Sequence, residues 1–430
     1  MLAGFLIFAI FLSAAALMYT RRLPALLALP AMALAIGLVA GLSQPGWTWS
    51  ETLRPLLFDT ILSEGSKRMA GAMVTTMFGA ILSQVVMRHG IAQRLVRLAA
   101  EYAGDHKLGL ALVLFAVVAV NFTALSGLGA VIMIGSLVLP VLVSSGFSPL
   151  YASSVMLLGI AMGGIFNPAN WKFYIELLGL EASKVQGCAV QVALILGLVS
   201  IAYLVVEGRK QSKVFAWAAG ADLDQTPPVP TIALLTPLIA PGLMLAWGWP
   251  DIPAFLVAIL FGCITTQPTR LVNNLTASVL EGLKDVSPVV GLFLGLGMTL
   301  KATMDPSCQA IMEPFLKAVL PPSPLYYLAF FVLLAPLTLY RGPFNLYGLG
   351  AGFAALMAKS GMLPPAAVMT AFMSVGQMQS VCDPTNTHNV WIAQFSNTSP
   401  DRILRHTLPY IWGFVLIALV YMVAVVKVMG

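Results

Sequence analysis

Two short polar motifs carry the residues best suited to chemistry: Asn167-Pro168-Ala169-Asn170 and Asp383-Pro384-Thr385-Asn386. Each interrupts an apolar stretch, and each has a second polar cluster some 40 residues before it. The first cluster holds Asn121, Thr123, Ser126 and Gly127, and the second holds Arg341, Gly342 and Asn345. Hydroxyl and amide oxygens such as these can coordinate Na⁺ or hydrogen-bond a carboxylate. The guanidinium of Arg341 can grip a carboxylate through two parallel hydrogen bonds, or else pair with Asp383. Asp383 can ligate a cation or, when desolvated, carry a proton. His388 can relay protons near neutral pH, and Thr387 adds a hydroxyl beside it. Thr123, Ser126, Gly127, Asn167, Asn170, Arg341, Gly342, Asn345, Thr385 and Asn386 are therefore the substrate-binding candidates. Asn121, Asp383, Thr387 and His388 are the candidates for the coupling ion or proton. Lys172 and Glu176, one turn apart, are expected to pair with each other.

The elements that must hold these groups are membrane helices. Of the 430 residues 59% are hydrophobic and 9% charged, whereas a soluble domain carries about 25% charged residues. Apolar stretches of about 20 residues, enough to cross a roughly 30 Å hydrocarbon core, recur along the chain. In lipid they must be helices, since no backbone group can be left open there. Arg21 and Arg22 follow the first apolar stretch instead of preceding it, so that stretch reads as a retained span. The net charge of +6 is scattered over connecting loops. That is the positive-inside bias of a multi-pass protein and not a nucleic-acid surface. Cys188, Cys263, Cys308 and Cys382 show no paired or metal-binding spacing. Neither a His-Glu-x-x-His helix nor a phosphate-binding GxxxxGK[ST] loop is present, which argues against an intramembrane metalloenzyme and a primary pump. No catalytic residue, metal or cofactor is expected.

The chain is written twice. Glu64-Gly65-Ser66-Lys67 returns as Glu281-Gly282-Leu283-Lys284, Ser145-Gly146 as Ser360-Gly361, and the two Asx-Pro motifs match likewise, at intervals of 215 to 217 residues. The halves are 1–206 and 229–430, joined by a polar linker at 207–228. Each half has two plain spans (2–20 and 23–42; 229–247 and 252–268). A short polar segment follows (51–68; 268–285), then a third span (70–87; 287–303). Next comes a long apolar stretch (109–143; 324–358) interrupted at 121–129 and 340–350, which reads as a re-entrant hairpin. A span broken at 167–171 or 383–389 and a closing span (185–205; 407–428) complete the half. With the N-terminus outside and five net crossings per half, thirteen Lys and Arg fall inside and seven outside. The sign fits an inverted repeat. The expectation is an all-α polytopic membrane protein of two inverted-topology repeats, each with a re-entrant hairpin and a broken helix. Interruptions at matching places mark a transporter's central site, where freed carbonyls and helix dipole ends meet ions.

With "SGLGAVIMIGSLVLPVLVSSGFSP" and "NPAN" in one half, and "RGPFNLYGLGAGFAALMAKSGMLPPA" and "DPTNTHN" in the other, the chain resembles the ion transporter superfamily of secondary carriers. Within it the sequence is similar to the gluconate, citrate and C4-dicarboxylate permeases. The resemblance implies an elevator-type symporter, usually a homodimer, in the lipid of a bacterial inner membrane. It would move a small organic anion with H⁺ or Na⁺. The alternative within the same superfamily is a cation/proton antiporter. Sodium-binding members carry a Ser-Asn-Thr triplet at tips and breaks. Here the triplet is Ser396-Asn397-Thr398, just beyond the second break, so both coupling ions stay open.

Overall fold

The computed structural model describes residues 2–20, 22–103, 106–211 and 229–429. Most of the linker expected at 207–228 lies outside the described residues. Its first residues belong to a helix that runs on to Arg209.

In the first half, α1 (Leu2–Tyr19) and α2 (Ala25–Leu42) lead into a rod, Trp49–Arg88. The rod starts as wide π-helical turns, Trp49–Leu53 and Pro55–Glu64, and continues as α3 (Gly65–Lys67) and α4 (Ala70–Arg88). Then come α5 (Ile91–Ala103), α6 (Lys107–Phe122), α7 (Gly127–Ser144), α8 (Pro149–Ile165), α9 (Pro168–Leu178) and α10 (Ala182–Arg209). The second half repeats the order with α11 (Thr236–Trp247), α12 (Asp251–Thr266), α13 (Leu271–Met304), α14 (Pro306–Val319) and α15 (Pro324–Leu334). After a 3₁₀ stretch, Ala335–Arg341, it closes with α16 (Leu349–Lys359), α17 (Pro365–Cys382), α18 (Thr387–Phe395) and α19 (Pro400–Ala424). Among the described residues six helices are long and apolar enough to cross a membrane, or up to eight if each bent pair is one span. Shorter apolar helices, Leu2–Met18, Lys107–Phe122, Thr231–Trp247, Asp251–Thr266 and Leu349–Lys359, stand at other expected positions.

Two expectations are corrected. The polar segments at 51–68 and 268–285 are not separate, because they run unbroken into the third spans as single rods. Of their polar residues, Glu64, Glu281 and Asp285 find partners on the opposite rod. The stretches between the third spans and the hairpins, to which the sequence reading assigns no element, are the amphipathic helices α5 and α14. Ile91, Ala92, Val96 and Ala99 are buried on α5, and Cys308, Met312 and Leu316 on α14. That spacing keeps one stripe against the core.

The two rods cross at small residues. A β-carbon on Gly65 would lie 2.8 Å from Met298 Cα, and one on Gly282 would lie 2.9 Å from Ile81 N. Advancing Gly65 by the 217-residue repeat gives Gly282, and taking Met298 back by the same step gives Ile81. The crossing is its own image under the repeat, and the rods run antiparallel. Ion pairs at its ends agree: Lys301 with Glu64, and Arg88 with Glu281 at 3.5 Å. Two equivalent helices packed antiparallel are what two halves of opposite orientation produce. Backbones approach this closely where helices pack on small residues, as membrane helices do.

Candidate functional site at the helix interruptions

Both breaks are built the same way. Pro168 and Pro384 bring no amide, so the preceding helix cannot continue its bonding. Asn167 Oδ1 then accepts from Ala169 N at 3.0 Å, and Asp383 Oδ1 from Thr385 N at 2.8 Å. Thr385 Oγ1 donates to the same carboxylate oxygen at 2.7 Å. The carbonyls freed at the first break are taken by side chains just beyond it. Asn170 Nδ2 donates to Gly164 O and Trp171 Nε1 to Ile165 O, each at 2.7 Å. At the second, Asn389 Nδ2 reaches Val381 O at 3.1 Å. α8 and α9 meet at 56°.

The tips use strained or glycine backbone. Gly127 has φ +83°, which only glycine adopts freely. In the second tip Tyr340 sits at φ 54°, ψ 34°, a left-handed conformation costly for an aromatic residue. Gly342 packs so closely that a β-carbon would lie 2.9 Å from Leu337 C. Asn345 organises the loop beyond it: its Oδ1 accepts from Tyr347 N at 3.0 Å and its carbonyl from Gly348 N and Gly350 N.

The first break joins both tips. Asn167 Nδ2 approaches Leu125 O of the first tip at 3.4 Å. Asn170 Oδ1 accepts from Tyr347 Oη of the second tip at 2.6 Å. The Tyr347 ring stacks on Phe173, with centroids 5.1 Å apart, and Phe173 stacks on Phe293 of α13 at 5.4 Å. The second break is tied to the first hairpin instead, since Trp391 of α18 sits against Gly135 of α7. Arms and breaks thus interleave across the halves.

The candidates divide on closer view. Asp383 is 1% exposed, and its Oδ2 is buried without a partner among the described residues. Asn121 is buried too; it donates to Val117 O at 2.9 Å, while its Oδ1 has no partner among the described residues. The Thr123 hydroxyl lies 2.8 Å from both Val120 O and Pro237 O of α11, which ties the first tip to α11. Ser126 and Thr387 stand exposed, while Asn386 and His388 are half-buried. Arg341 ends the 3₁₀ stretch of the second tip, and its side chain lies outside the described residues. Ser396, of the displaced triplet, hydrogen-bonds Ser153 of α8 at 2.7 Å and so fastens α18 to α8.

Sequence reasoning missed Tyr347 and Asn389. Asn389, 2% exposed and close in sequence to Asp383, has an Oδ1 without a partner among the described residues. Both lie in the polar interruptions, so their position was the available signal. The pairing of Lys172 with Glu176 is corrected. Lys172 Nζ pairs with Asp251 Oδ2 at 3.7 Å, and Thr75 Oγ1 donates to the same oxygen. Glu176 Oε2 instead accepts from Ala72 N at 2.9 Å, and its carbonyl from Arg68 Nη2 at 2.9 Å. The competing partners come from α4 and α12, which no local spacing reveals. Gly71 makes room for this, as a β-carbon there would meet Glu176 and lie 2.9 Å from Lys172 Cε. Asp251→Asn is expected to destabilise the purified protein by about 2 kcal/mol, the cost of a buried unpaired charge discounted for partial exposure. Adding Lys172→Met should restore most of it, as thermal unfolding of both variants would measure.

The architecture is shared with two solved transporters. It superposes on the YdaH transporter of Alcanivorax borkumensis, described as having an unusual topology, with a TM-score of 0.69 and 14% identity over 94% of this chain and 98% of that one. It superposes on MtrF of Neisseria gonorrhoeae, described within a class of antimetabolite efflux pumps, with a TM-score of 0.60 and 14% identity over 92% and 94% of the two chains. No protein family matches the sequence. No curated protein matches it either. The likeness establishes the fold: a polytopic, all-helical membrane protein built as these transporters are.

Proposed function

We propose that the chain is a secondary active symporter for a small organic anion, a di- or tricarboxylate or a sugar acid, driven by H⁺ or Na⁺. In this reading it belongs with the ion transporter superfamily, works as a homodimer in a bacterial inner membrane, and alternates access by an elevator movement of the hairpins and broken helices. The observation that carries the proposal is the joining of the first break to both tips through Asn167 and Asn170. The helix N-termini at such a meeting point suit an anion, and irregular backbone is tolerated in a membrane only where it is buried in protein or lines a cavity. Arg341, with Gly342 and Asn345 shaping its loop, is assigned to the substrate carboxylate. Ser126 and Gly127 serve the same substrate from the first tip, and Thr385 and Asn386 from the second break. Asp383, with Asn121, Thr387 and His388, is assigned to the coupling ion.

A second reading, export of a small organic compound, draws on the likeness to MtrF. A cation/proton antiporter fits less well, because Asp383 is the only carboxylate at the four interruptions. Uptake into proteoliposomes across a panel of mono-, di- and tricarboxylates, with Na⁺ and pH gradients imposed separately, tests the proposal. Accumulation driven by neither gradient would sink it. Arg341→Ala is expected to lower uptake at least about 100-fold, the loss of a charge-assisted bidentate contact, with folded protein still recovered. Near-normal uptake by that variant would remove the assignment.

A further inference from the structure

A cavity of about 380 Å³ lies away from the interruptions, where the first rod, the end of α13, the start of α14 and the last residue of α16 meet. Three cations face it, Arg68, Lys301 and Lys359, with Thr60 and Gln309 as neutral hydrogen-bonding groups and Asp305 as its one carboxylate. Asp305 is already engaged, since its Oδ1 accepts from Ser307 N at 2.9 Å. Lys301 is balanced by Glu64. Arg68 spends one donor on Glu176 O, and a guanidinium has five in a planar fork. Lys359 has no ion pair among the described residues. The balance of charge around the recess is positive.

The repeat supplies an internal comparison. Shifted by the same 215 to 217 residues, Arg68 corresponds to Asp285, Lys301 to Gln84 and Lys359 to Ser144. There Gln84 simply donates to Asp285. Packing of the two halves therefore does not require three cations at this place, and only one of the two equivalent places has them.

We infer that this cavity binds an oxyanion of the carboxylate or phosphate class. Thr60 and Gln309 would orient it, and Arg68, Lys301 and Lys359 would neutralise it. That the solute is a carboxylate rests on the proposed function, whereas the preference for an oxyanion does not. A lipid headgroup phosphate offers the same chemistry, so the test separates the two sources.

The full-length protein in a neutral detergent, freed of lipid, is titrated with citrate at low ionic strength by calorimetry. Lys359→Gln should weaken citrate binding about fivefold, and Asp305→Asn, which keeps the side-chain oxygen that caps Ser307, should tighten it by a similar factor. Opposite shifts from two neighbouring substitutions are not produced by a general loss of structure. Binding that moves less than twofold in both variants, or weakens in both, overturns the assignment. Nanodiscs of phosphatidylcholine alone and with phosphatidylglycerol identify the source. Loss of citrate binding only in the anionic discs, relieved by Lys359→Gln, makes the headgroup the occupant; equal binding in both makes it the solute. Should proteoliposomes carry no carboxylate while these shifts are seen, the transport reading fails and the cavity assignment stands. Driven uptake with unshifted binding removes the cavity alone.

Discussion

Gly297→Ala is expected to destabilise the protein by about 3 kcal/mol, the upper part of the range for overpacking. The reason is what the added methyl would meet. At Gly297 a β-carbon would fall on the carbonyl oxygen of Gly65, with Arg68 Cβ also at 3.3 Å. A flexible side chain can rotate out of the way, but a backbone carbonyl cannot move without shifting the rod that carries it. That rod also holds Glu64 against Lys301 and, further along, Arg88 against Glu281. The comparison is Gly413→Ala in α19, where a β-carbon meets nothing within 4 Å. Thermal unfolding and size-exclusion profiles of both variants should separate them clearly. Equal stability would mean that the rods do not cross at this point.

Asp383→Asn is expected to uncouple transport, with whichever of the Na⁺ and pH gradients drives wild-type uptake ceasing to do so. A carboxylate 1% exposed in a membrane protein is costly unless it is paired, protonated or bound to a cation. Among the described residues Asp383 has no ion pair, and only one of its two oxygens is hydrogen-bonded. A bound proton or cation would satisfy the other. Asparagine keeps the oxygen that accepts from Thr385 N, so the break should survive. Asp383→Ala should lose that contact as well, at about 1 kcal/mol, as for other helix-capping oxygens. Gradient-driven uptake compared with counterflow exchange reads the difference: coupling is lost, exchange is retained. An unchanged gradient dependence in the asparagine variant would take Asp383 out of the coupling role.

The placement of the interruptions was legible because its cause is local. Proline lacks an amide wherever it sits, and an Asx before it can cap the next helix through residues two apart. Asn167-Pro168 and Asp383-Pro384 therefore announce breaks in the sequence, and breaks are found there. Composition settled the solvent in the same local way, since too few charged residues remain to cover a water-facing surface. The repeat was legible too, and its interval recurs in the contacts of Gly65 and Gly282. The amphipathic helices α5 and α14 carried a usable signal in their 3.6-residue stripe, but the charged residues between the stripes read as loop.

Which interruption meets which was decided by tertiary structure alone. Asn170 and Tyr347 are 177 residues apart, and the opposite arrangement, each break with its own tip only, fits the same sequence. Lys172 shows the limit most plainly. One turn away stands Glu176, yet α12 brings Asp251 to Lys172, and α4 brings the amide of Ala72 to Glu176. A local pair on a helix is worth only about 0.2–0.5 kcal/mol, so packing easily overrides it. Residue type and spacing fixed the class, the solvent and the points where the helices must stop. The close approach of the rods, the crossing of tips and breaks, and the three cations around one cavity depend on backbones meeting at long range, where the partner is chosen by packing and not by spacing.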